Sequence, residues 1–176
     1  MRNQRIRNMI KALALFAASA ILSTPALAQV TVSFIEGAPK DRFVIENTGR
    51  CDLAATILTI DLSTAASGLV FDVTDSGPGV EVFQPFELVS GQDVVQQHSK
   101  ITDGDTTVTL ELSSLASGET VGFTIDIDDT SGRTETMVAG HEISGAEVTV
   151  KTLGQDYLEA MSAKAQAVLP VSGCAA

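Results

Sequence analysis

Five aspartates carry the chemistry this chain is best equipped for. Asp103 and Asp105 flank Gly104 in a turn, and Asp126, Asp128 and Asp129 end the alternating run FTIDIDD. Carboxylates at turns and strand ends are hard oxygen donors, the kind that calcium takes in exported β-domains. Two residues apart on a strand, Asp126 and Asp128 would share a face about 7 Å from each other, which suits a common cation once a neighbouring loop closes over it. The expected metal site is therefore calcium at Asp103, Asp105, Asp126, Asp128 and Asp129. The simpler reading is a solvated acidic edge, whose charges discourage sheet-to-sheet pairing. An EF-hand is excluded, because the sixth position counted from Asp126, where that loop needs glycine, is Ser131.

Other reactive constellations are missing. His141-Glu142-Ile143-Ser144-Gly145 lacks the second histidine of a zincin, and neither a G-x-S-x-G elbow nor a glycine-rich phosphate loop occurs. His98 and His141 are far apart in the chain. The expectation is a non-enzymatic protein with no catalytic residue and no cofactor beyond calcium.

The first residues give an address. Arg2, Arg5, Arg7 and Lys11 precede an apolar run from Ala12 to Leu22, and Ala26-Leu27-Ala28 supplies a small-residue cleavage pattern. That is a secretory signal peptide over residues 1–28, with a run too short for a membrane anchor of roughly 20 residues. Cleavage after Ala28 would leave one domain of 148 residues in the periplasm or outside the cell, with no membrane insertion afterwards. That product holds seven Lys and Arg against 22 Asp and Glu, which argues against nucleic acid as a partner. Cys51 and Cys174 are the two cysteines. In an oxidising compartment they would form a disulfide; the rival is two unpaired thiols, one within the fold and one in a loose tail.

The elements that must position these residues read as strands. Val121, Phe123, Ile125 and Ile127 alternate with Gly122, Thr124, Asp126 and Asp128, the period of a strand with one buried and one wet face. The same grammar recurs from Val30, Phe43, Leu58, Leu69, Val80 (interrupted at Pro85), Thr106, Arg133 and Ala146. Turn residues separate these runs at the spacing of a sandwich. The expected fold is all-β, an immunoglobulin-like antiparallel β-sandwich of about eight strands over residues 29–151, with its carboxylates facing outward. Residues 152–176 read as a C-terminal helix and tail, since Gln155–Val168 is rich in Ala, Leu, Glu, Met and Lys, and Leu158, Met161, Ala165 and Val168 fall on one helical side. An internal echo links residues 59–68 with 109–118.

In combination, FVIENTG, GLVFDVT, GVEVFQPFE and FTIDIDDT, followed by HEISGAEVTV, resemble the core segment of the sponge aggregation factor and of exported bacterial proteins carrying a similar domain. The likeness covers about Val30 to Val150. It implies an extracellular, adhesion-associated β-domain whose partners are proteins or glycans at the cell surface. The alternative function is a periplasmic ligand- or carbohydrate-binding accessory domain, although the chain has no Trp and a single Tyr, Tyr157, where sugar platforms use aromatics.

Overall fold

The computed structural model describes residues 28–76, 83–130 and 138–174. The expected signal segment up to Leu27, the start of the expected strand at Val80 and most of the one at Arg133 lie outside them.

Twelve strands are present among the described residues: β1 (Ala28–Ile35), β2 (Asp41–Asn47), β3 (Thr56–Asp61), β4 (Leu69–Phe71), β5 (Glu87–Ser90), β6 (Val95–His98), β7 (Thr107–Leu112), β8 (Thr120–Ile125), β9 (Ile127–Asp129), β10 (Glu147–Thr152), β11 (Gln155–Ala160) and β12 (Gln166–Val171). They form two five-stranded antiparallel sheets in a sandwich-like arrangement, ordered β12-β1-β2-β8-β5 and β11-β10-β3-β7-β6, plus a short ribbon of β4 with β9. Alternation explains why they close. Val30, Val32 and Phe34, then Phe43 and Ile45, then Val121, Phe123 and Ile125 line the inner face of the first sheet. Leu58 and Ile60, Val108 and Leu110, and Val148 and Val150 line the second, and both sets join one core. Each such side chain contributes roughly 1.5–3 kcal/mol on burial.

Phe34, Phe43 and Phe123 are cross-strand partners on β1, β2 and β8. Their rings lie 5.4 and 5.0 Å apart in succession, and Phe86 continues the row 4.9 Å from Phe123. The echoing segments also meet: β3 and β7 are neighbours, with Thr59 opposite Thr109 and their hydroxyls 3.0 Å apart.

The C-terminal helix is overturned. Gln155–Val168 is instead parts of two strands, β11 paired with β10 and β12 paired with β1. The physical reason is that Ala167, Leu169 and Val171, at a period of two, complete the inner face beside β1 and are fully buried. Helical propensity is worth only tenths of a kcal/mol per residue and yields to that burial. Leu158 and Val168, which a helix would have put on its apolar side, are 58% and 37% exposed. Pro170 is accommodated because β12 is an edge strand. The tail is fastened as well: Cys51 and Cys174, 123 residues apart, form a disulfide with Cα atoms 5.6 Å from each other.

Candidate functional site

At the end of the phenylalanine row the chain changes sheets. β8 stops at Ile125, β9 starts at Ile127, and Asp126 is the residue between them. Three backbone bonds stitch this corner: the Asp72 amide donates to the Asp126 carbonyl at 3.1 Å, the Asp126 amide to the Gln84 carbonyl at 3.2 Å, and the Gln84 amide to the Asp72 carbonyl at 3.2 Å.

Register then gathers carboxyl groups. Because Phe71 pairs with Ile127 and Val70 with Asp128, Asp72 stands opposite Asp126, and Asp128 projects from the same side of the ribbon as Asp126. Asp41, opposite Ile125 at the end of β2, brings a fourth carboxyl within electrostatic reach of both Asp126 and Asp128. All four side chains are buried, each residue between 1% and 5% exposed. Asp41 accepts the Gly37 amide at 3.1 Å. The Oδ2 atoms of Asp72 and Asp126 are buried and accept no hydrogen bond.

Burial and like charge push these acids upward. Desolvation is the main cause at Asp41, which rises to about 7 despite the amides of Gly37 and Ile127. Asp126 rises to about 8, again chiefly by burial, with added repulsion from Asp128, Asp41 and Asp72. Asp72 is also raised, by burial, then by a hydrogen bond shared with the Asp128 carboxyl, and then by the negative charges of Asp128 and Asp103. Among the described residues, no lysine or arginine is among the groups acting on these three acids; protons or an entering cation would relieve the charge they share.

Of the five aspartates singled out in the sequence, Asp126 and Asp128 come together, buried rather than facing outward, and Asp103 stays within electrostatic reach of Asp72. Asp103 and Asp105 hold turns. The Asp103 carboxylate accepts the Val73 and Thr74 amides at 2.7 and 2.8 Å and the Thr74 hydroxyl as well. The Thr74 hydroxyl, followed by those amides, lowers its pKa. Asp105 accepts the Thr102 amide and hydroxyl at 2.7 and 2.9 Å. Asp129 pairs with Leu69 on the ribbon, with its side chain on the opposite side from Asp128. Among the described residues no three His, Cys, Asp or Glu side chains already stand at metal-ligand spacing.

Asp41 and Asp72 were missed. Asp41 was legible in principle, since it shares the parity of Phe43 and Ile45 and so falls on their inner face. Asp72 carried a misleading signal: the alternation of Leu69, Phe71 and Val73 with Val70 and Asp72 puts it on a wet face, whereas Leu69, Val70 and Phe71 are all buried.

Elsewhere, His98 stacks on Phe86 with centroids 4.4 Å apart, and His141 lies in an exposed turn. A groove of about 380 Å³ runs over the outer face of the second sheet, lined by residues including Ile57, Glu111, Lys151 and Leu153. No aromatic side chain lines it. No family model matches the chain, and a search of curated proteins returns no match.

Proposed function

We propose that the chain is an exported, non-enzymatic domain acting in adhesion or surface assembly, with a protein or glycan at the cell surface as its partner. The observation that carries this reading is the Cys51–Cys174 bridge closing an all-β sandwich, since structural disulfides persist in oxidising compartments. The signal-like first residues and the resemblance to the aggregation factor core support the same direction, as does the immunoglobulin-like character expected of the sandwich. The carbohydrate-binding alternative has the groove beside Ile57 in its favour, but sugar platforms use stacked aromatics and the groove offers none.

The test is fractionation of cells making the native protein, with mass analysis of the product, alongside cell-attachment and aggregation assays of a deletion strain. Expected are a product starting at Gln29, bridged, in the periplasm or medium, and weaker cell association in the strain lacking it. Retention in the cytoplasm as reduced precursor, or unchanged cell association, would sink the reading. A glycan-array signal that substitution of Ile57 or Lys151 removes would favour the alternative.

A further inference from the structure

We propose that the corner between β8 and β9 is a binding site for a hard divalent cation, calcium in an exported setting, with Asp72, Asp126 and Asp128 as its ligands and Asp41 as the adjoining negative charge. The inference stands on the corner's own geometry and does not rest on the adhesion reading. It changes the ligand set expected from the sequence: Asp126 and Asp128 stay, Asp72 and Asp41 join them, and Asp103, Asp105 and Asp129 leave. Both carboxylate oxygens of Asp103 and the Oδ2 atom of Asp105 are engaged by their own turns, and Asp129 projects to the other side of the ribbon.

Two observations point independently to a ligand. The first is the gathering of carboxyl groups by register, Asp72 opposite Asp126 and Asp128 beside both. The second is that the Oδ2 atoms of Asp72 and Asp126 are buried in side chains more than nine-tenths shielded from solvent, yet accept no hydrogen bond. Buried polar atoms are normally paired, and an exception calls for an explanation such as an ion. The donors are all carboxylate oxygens, which select calcium or magnesium over the softer transition metals. Between those two, a site buried this deeply favours calcium, because magnesium gives up its water reluctantly and demands near-ideal octahedral geometry.

Since no three side chains already stand at ligand spacing, the carboxyls must rotate inward around the ion. The two Oδ2 atoms have no hydrogen bond to give up; turning the carboxyls exchanges the bond Asp72 shares with Asp128 and the Ile127 amide bond of Asp126 for the ion, and the β4–β9 ribbon, only three residue pairs long, can follow. The bound ion would tie β4 to β9 and hold the end of β2 against both.

The experiment is calcium titration of the purified mature chain after chelator treatment, by calorimetry and thermal melting at about pH 7.5. The expected result is one ion per chain, a dissociation constant on the order of 0.1–1 mM and magnesium at least about tenfold weaker. Asp126→Asn and Asp72→Asn should each weaken calcium about tenfold or more, while Asp103→Asn and Asp105→Asn change it less than about threefold. Amide resonances of the unaltered protein supply a readout that needs no variant: on adding calcium, the shifts should centre on Asp41, Asp72 and Asp126 to Asp128. No heat and no melting shift up to about 10 mM calcium would overturn the site, as would shifts centred on the Asp103–Asp105 turn. These measurements use the isolated protein, so their failure leaves the adhesion reading to its own test.

Discussion

Asn47 shows how a single buried polar side chain can fasten several loops. Its side-chain amide donates to the carbonyls of Cys51 and Leu115, each at 2.9 Å, and its side-chain oxygen accepts the Gly49 amide at 3.0 Å. Asn47→Ala leaves those backbone groups without partners at a fully buried position and should cost about 2–4 kcal/mol, read as a lower urea midpoint. Asn47→Asp should cost nearly as much, because a carboxylate cannot donate to the two carbonyls; a loss below about 1 kcal/mol would mean water replaces the amide. In the sequence, Asn47-Thr48-Gly49 reads as a turn closing a strand, which is correct as far as it goes; the contact with Leu115, 68 residues away, has no local signature. The aspartates give a second expectation at this scale. Their folded pKa values, about 7 for Asp41 and about 8 for Asp126, lie above the ordinary 3.8. The folded state therefore keeps protons that the unfolded chain has lost, and stability falls as pH rises through that window. Melting temperatures in chelator should decline from about pH 5 to about pH 8. Asp126→Asn should flatten the decline and raise the melting point at its alkaline end, and a profile that rises with pH would contradict the repulsion.

Elements were legible where one face is wet and the other dry, as in β1, β2, β3, β7, β8 and β10, because alternation survives there. For β4 and β9 alternation found the strands but not the burial of both their faces, and it failed for β11, exposed along nearly its whole length. A strand with no dry face leaves only composition to read, and the Ala, Glu, Met and Lys after Gln155 favour a helix. The chain enters β11 instead through a two-residue turn after β10. Leu153 and Gly154 both take left-handed backbone, φ +51° and +75°, the pattern of a type I′ hairpin, which favours Asn-Gly. Leucine is strained there and 54% exposed. Leu153→Asn should stabilise the fold by about 0.5–1 kcal/mol, raising the melting temperature by about 2–4 °C for a domain of this size. A methyl of Leu153 lies near Gly173, so an unchanged or lower melting point would show that this contact outweighs the strain.

For the whole molecule, the disulfide determines which edge can open. β12 has a sheet neighbour on one side only, β1, and its Ala167, Leu169 and Val171 complete the core. The bond from Cys174 to Cys51 fastens the end of β12 to the loop following β2, two strands in along the same sheet. Constraining a loop of 123 residues in the unfolded chain is worth about 5 kcal/mol in the chain-entropy account. Reduction, or the Cys51→Ser/Cys174→Ser pair, should lower stability by several kcal/mol, and the loss should not be uniform. Hydrogen exchange should accelerate first in β12, whose opening would bare apolar surface of β1, while β8, flanked by β2 and β5, keeps its protection until global unfolding. Equal acceleration in β12 and β8 would place the bond's contribution wholly in the unfolded chain, and no acceleration in β12 would show that its pairing with β1 suffices to hold that edge.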